Sequence, residues 1–88
     1  MNWQVLWLPP ALNDLARIWT GAADRAVVTK AANQIDHSLE QDPIGEGESR
    51  DADIRIIVSL PLGASYRIVP GTRTVEVIHL WFIKKRKA

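Results

Sequence analysis

The sequence predicts an α+β domain in the order β-α-α-β-β-β. An N-terminal strand and a helical hairpin precede a three-stranded antiparallel meander, and the helices lie on one face of the sheet. Two observations carry this reading. Residues 54–83 hold three runs rich in Val, Ile and aromatics, I-R-I-I-V-S-L, A-S-Y-R-I-V and T-V-E-V-I-H-L-W-F-I, parted by P-L-G and P-G-T-R. Runs of this kind, broken by Pro and Gly, are strands joined by tight turns. Upstream, over residues 11–41, apolar residues return at the spacing of a helical face.

Residues 2–8, N-W-Q-V-L-W-L, read as the first strand, with Trp3, Val5 and Trp7 on one side and Gln4, Leu6 and Leu8 on the other. Neither side is wholly polar, which places the strand under cover on both faces or beside a partner. Pro9 and Pro10 end it, and Pro10 opens a helix where its missing N–H costs nothing. Over residues 11–19 the apolar face is Leu12, Leu15, Ala16 and Trp19, with Asn13, Asp14 and Arg17 opposite; Gly21 is the C-cap candidate. Asp24 caps a second helix that runs to Gln41, with the stripe Val28, Ala31, Ala32, Ile35 and Leu39. His37 falls on its wet side. Asp42-Pro43 closes this helix, because a residue before proline is pushed out of helical geometry. Residues 43–53, polar and glycine-punctuated, read as an acidic loop. In the meander, Pro61 and Pro70 fall where a ladder can spare an N–H, and Gly63 and Gly71 supply the backbone of the turns.

The chain is 88 residues long, 47% hydrophobic and 24% charged, which fits one globular domain over 1–88 with a basic tail at 84–88. It has no cysteine, hence no disulfide framework or thiolate metal site. No apolar run is long enough to span a bilayer, so a soluble cytoplasmic protein is expected. The formal net charge of +1 hides a split. Residues 1–53 carry nine acids and four bases, a balance of −5, while residues 54–88 carry seven bases and one acid, a balance of +6. Such asymmetry points to an acidic or polyanionic partner, or to two halves that neutralise each other within one fold.

The P-P-A-L-N-D-L-A-R-I-W helix, a second helix ending L-x-x-D-P, Y-R-I at 66–68 and V-E-V-I-H-L-W at 75–81 together resemble the RelE/ParE superfamily of toxins from type II toxin–antitoxin systems. The resemblance covers nearly the whole chain. It implies a toxin neutralised by a cognate antitoxin whose extended or helical segment wraps it. The +6 half with its mixed apolar sheet face adds the expectation that this segment is acidic and partly disordered. It also implies two activities on one fold: mRNA cleavage on the ribosome, as in RelE-like members, or non-enzymatic inhibition of DNA gyrase, as in ParE-like members. A binding domain of this fold without toxicity is the third reading. A second copy of the chain stays open as a partner; no membrane or cofactor is implied.

In nuclease members the arginine of Y-R-I contacts the reacting phosphate, and here that position is Arg67. Arg50 and Arg55 supply further cations on the preceding loop and strand. Glu48 and His79 are the candidate proton-transfer groups, and Glu76 is the remaining acid of the sheet. Many nuclease-like relatives carry His or Tyr near Phe82, a departure that puts the acid–base pair in question. Arg73, Trp81, Lys84, Lys85 and Arg86 complete a candidate surface for nucleic acid or antitoxin; the alternative for the tail is a solvated charge run. Metal binding is not expected, since neither His37 nor His79 is flanked by a carboxylate pair.

Strand register decides what Arg67 meets. An even-length second hairpin sets it across from Glu76 as an ion pair, whereas an odd loop or a bulge puts it on one face with His79 and Trp81. A three- or five-residue first hairpin would set Arg55 across from Arg67.

Overall fold

The computed structural model describes residues 2–51 and 53–84, the side chains of Arg50 and Asp51 excepted. Its elements are β1 (Gln4–Trp7), α1 (Pro9–Gly21), α2 (Arg25–Gln41), α3 (Pro43–Glu46), β2 (Glu48–Asp51), β3 (Ile54–Ser59), β4 (Leu62–Val69) and β5 (Thr74–Phe82). The predicted meander, β3-β4-β5, is the centre of a larger sheet. Five strands stand in the order β1-β5-β4-β3-β2, with β1 parallel to β5 and the other pairs antiparallel.

The extra edge strand β2 comes from the segment read as a loop. Its residues E-S-R-D show no apolar alternation, so only pairing with β3 makes them a strand. Charged side chains on a short edge strand also discourage pairing with another molecule. The preceding P-I-G-E forms one helical turn, α3, capped by the Asp42 carboxylate, which accepts from Gly45 N–H at 3.0 Å.

In α2 the Asp24 carboxylate accepts from Val27 N–H, and all five stripe residues are buried. They meet Ile57, Leu62, Ala64, Tyr66, Val75 and Val77 from the inner face of the sheet. Burying a side chain such as Ile35 or Leu39 contributes about 1.5–3 kcal/mol. Helix α1 starts earlier than expected, with both prolines in its first turn, and it is rotated from the predicted face. Ala11 is buried and Leu15 and Ile18 pack on the core, while Leu12 and Trp19 stay about half exposed. The reason is that α1 has two neighbours. One side lies along β5, and Leu12, Ala16 and Trp19 flank a shallow cleft against Thr29 and Ala32 of α2. The C-cap is Ala22, and Gly21 is the last helical residue.

Turn chemistry also differs from expectation. Ser59 pairs with Leu62, so the first connection is Leu60-Pro61, joined by a cis peptide. Gly63 is therefore inside β4, not in the turn. In the second connection Pro70–Thr72 form a 3₁₀ turn, and the left-handed residue is Arg73, with φ 48°, instead of Gly71.

The two-residue turn places Arg55 opposite Tyr66 and Arg67 opposite Ile54, so Arg55 and Arg67 do not face each other. Arg55 and Tyr66 instead latch the α3 connection onto the sheet. The buried Tyr66 hydroxyl donates to the Pro43 carbonyl at 2.6 Å and accepts from Arg55 Nε at 3.3 Å. Arg55 Nη2 donates to the carbonyls of Ile44 at 2.6 Å and Gly47 at 2.7 Å. Burial holds the Tyr66 phenol above its ordinary pKa, with Arg55 opposing the shift. Gly47 must lack a side chain, because a Cβ there would overlap the Tyr66 hydroxyl. Tyr66→Phe is expected to cost about 1–3 kcal/mol by leaving the Pro43 carbonyl without its donor and Arg55 Nε–H without its acceptor, and Gly47→Ala to open the 43–51 segment. Denaturant melts and limited proteolysis check both, and unchanged cleavage near residue 47 in Gly47→Ala would refute the latch.

Candidate functional site

The helices cover one face of the sheet and leave the other open. What occupies the open face is set by an irregularity in β5. Tyr66 pairs with Val77, but Ser65 pairs with His79, so Ile78 is an extra residue. Without the bulge, residues 76 and 79 would point to opposite faces. With it, Glu76, His79 and Trp81 share the open face with Arg67, Ser65 and Gly63. The even-length connection and the bulge coexist, so Arg67 both faces Glu76 and shares a surface with His79.

Glu76 Oε1 accepts from Arg67 Nε at 3.0 Å and from Nη2. This hydrogen bonding, with the Glu76 charge, raises the Arg67 pKa further above its ordinary value. The pair uses two of the five guanidinium N–H donors and leaves the rest for an anion. The Arg67 side chain is 48% exposed and can meet one.

His79 is 60% exposed, yet one of its ring nitrogens is tied down. Nδ1 lies 3.2 Å from Asp14 Oδ2. Asp14 reaches it from α1 because β1 pairs only with Thr74–Val77 and leaves the far end of β5 without a strand neighbour on that side. There the same Asp14 oxygen accepts from Leu80 N–H at 3.0 Å, and Oδ1 accepts from Arg17 at 2.8 Å. The Leu80 bond first, then those from Arg17 and His79, hold the Asp14 carboxyl below its ordinary pKa of 3.8 against the cost of burial. Sequence reading put Asp14 on the wet side of its helix. Periodicity carries no signal for an acid that turns inward to cap a strand edge.

Trp81, half-buried, crosses Gly63: a Cβ on Gly63 would lie 2.5 Å from the indole nitrogen. Glu48 stands on the same face in the row Glu48–Ile56–Ser65–His79. Three strand spacings put its backbone roughly 14 Å from that of His79. The remaining predicted residues are dispersed. Arg55 is committed to the latch described above. Arg73 lies over the Trp3 ring at 4.8 Å, and Lys84 is exposed. Lys85 and Arg86 lie outside the described residues, as does the side chain of Arg50. A groove of about 850 Å³ runs along α2 past Lys30, Gln34, His37 and Ile57–Ser59, away from Arg67 and His79.

No protein-family model matches the sequence. No curated protein matches it significantly. Solved structures do. The toxin–antitoxin complex RelBE2 from Mycobacterium tuberculosis superposes with a TM-score of 0.78 at 16% identity, over 93% of this chain and 99% of that one. The chromosomal ParDE system from P. aeruginosa gives 0.71 at 16% identity, over 93% and 97%. The isolated E. coli RelE toxin gives 0.66 at 16% identity, over 97% and 88%. The chain has the RelE/ParE toxin fold. At this identity the likeness is one of backbone, so the chemistry of this RelE/ParE-fold chain rests on its own side chains. Among the described residues no helix is long and apolar enough to cross a membrane.

Two outcomes follow from this geometry. A carboxyl whose folded pKa is depressed adds stability above its unfolded value, and that stability is lost as pH falls through the folded value. The melting-temperature gap between wild type and Asp14→Asn should therefore be full near neutrality and close as the medium is acidified below about pH 4. A gap that stays constant down to about pH 2 would remove the ionised carboxylate from the account. Gly63→Ala should displace Trp81 and destabilise by about 1–3 kcal/mol, seen as altered tryptophan fluorescence beside a denaturant melt. A spectrum and stability like wild type would contradict the close packing.

Proposed function

We propose that this chain is the toxin of a type II toxin–antitoxin pair and that its open sheet face cleaves RNA. The fold likeness to toxin–antitoxin proteins supports the first part. The second rests on one observation: the bulge at Ile78 sets His79 beside Arg67 on an exposed surface. Cleavage through the substrate's own 2′-hydroxyl needs a base and a cation at the phosphate. His79 Nε2 takes the 2′-hydroxyl proton as the 2′-oxygen attacks phosphorus. The P–O5′ bond breaks, and the leaving oxygen takes a proton from solvent water. The products carry a 2′,3′-cyclic phosphate and a 5′-hydroxyl. Arg67, aimed by Glu76, offers its remaining donors to the charge that grows on the phosphorane.

The Arg67–Glu76 pair itself favours a second reading, in which Arg67 is a structural cross-strand ion and the toxin inhibits DNA gyrase without a nuclease site. The antitoxin in either case is a segment with acidic residues that suits the basic half of the chain.

Expression of wild type, Arg67→Ala, Arg67→Lys and His79→Gln at matched soluble levels separates the readings, alone and with the neighbouring gene. Growth, RNA ends and plasmid supercoiling are followed together. Arg67→Ala should lower cleavage about a hundred- to a thousandfold with little change in ribosome binding. Lys should rescue little, because a point charge cannot reproduce the planar fork. A folded Arg67→Ala protein that still arrests growth, with intact RNA and altered supercoiling, would overturn the nuclease reading in favour of gyrase inhibition.

A further inference from the structure

We infer that Asp14 is a positioning residue for His79: by accepting the Nδ1 proton it fixes the ring and its tautomer and turns a bare Nε2 toward the Arg67 surface. This rests on the RNA-cleavage reading and extends it to a residue on α1.

An ionised carboxylate can only accept, so the 3.2 Å contact puts the proton of the neutral imidazole on Nδ1. Nε2 is then an acceptor, the form a general base requires. Asp14 is itself fixed before any substrate arrives. Leu80 N–H holds Oδ2 at 3.0 Å and Arg17 holds Oδ1 at 2.8 Å. Its side chain is only 14% exposed, whereas those of His79 and Arg67 are 60% and 48% exposed. A sheltered orienter, held by two other donors, thus stands behind an accessible imidazole. A carboxylate that served only to tie α1 to β5 would need Leu80 alone. The additional contact exists because the bulge at Ile78 and the end of β1 bring His79 and Asp14 to the same end of β5.

The test is a double-mutant cycle with purified ribosomes programmed with a short mRNA of defined sequence. Asp14→Asn should lower kcat about ten- to a hundredfold with KM held, a part of the roughly 10²–10⁴ available to a general base. In the His79→Gln background the same substitution should cost nothing further, because Asp14 acts through His79. Nitrogen-15 NMR at about pH 8.5, well above the ordinary imidazole pKa of about 6.5, should find the wild-type proton on Nδ1 and lose that preference in Asp14→Ala, which removes the acceptor that Asn would keep. Equal losses in both backgrounds, or a tautomer indifferent to Asp14, would reduce Asp14 to a structural tie while leaving cleavage by His79 and Arg67 intact. RNA left whole by wild type itself would instead bring down the RNA-cleavage reading, and Asp14 would have no catalysis to serve.

Discussion

β5 has to satisfy two neighbours of unequal length on one side, and the rest of the molecule follows from how it does so. β1 accompanies it for only the four residues Thr74–Val77. Past that point the Leu80 N–H has no strand partner on that side, and a buried N–H left unpaired costs about 1–3 kcal/mol. Asp14 answers the Leu80 N–H with a carboxylate, and a hydrogen bond to a charged acceptor is stronger than a neutral one. The extra residue Ile78 falls where β1 gives way to α1, and it changes which face every later side chain of β5 occupies.

That change of face couples structure to chemistry. Leu80 goes to the core with Ala64, and His79 comes out beside Ser65. Trp81 then lies on the open face, where only a glycine opposite leaves room for its indole. The polar surface that results combines a guanidinium, a carboxylate and an imidazole within neighbouring strands. Its guanidinium charge is cheap to maintain because Arg67 remains in contact with water.

The opposite edge of the sheet follows another rule. β2 has little apolar surface to bury, and its attachment depends on Tyr66 and Arg55 holding the α3 connection from the core side. Here an arginine that sequence alone offers as a phosphate ligand spends its donors on backbone carbonyls. The distinction is one of strand face: Arg55 pairs with the buried Tyr66, and Arg67 with Ile54 across the open side.

Local pattern alone determined the α+β class, the cap at Asp24, the buried stripe of α2 and the three central strands. Each depends on spacing within one segment, which a periodic core makes readable. Long-range pairing decided the remainder. β2 has no strand pattern of its own, and α1 is rotated because it divides its surface between β5 and α2. Whether Arg67 met Glu76 or shared a face with His79 depended on a turn length and a bulge, and a single inserted residue reverses the alternation of a strand. Asp14 could not be singled out from its own helix, because its partners Leu80 and His79 lie more than sixty residues away. Only the tertiary structure brings a strand edge short of a neighbour against a helix carrying an acid at the matching height.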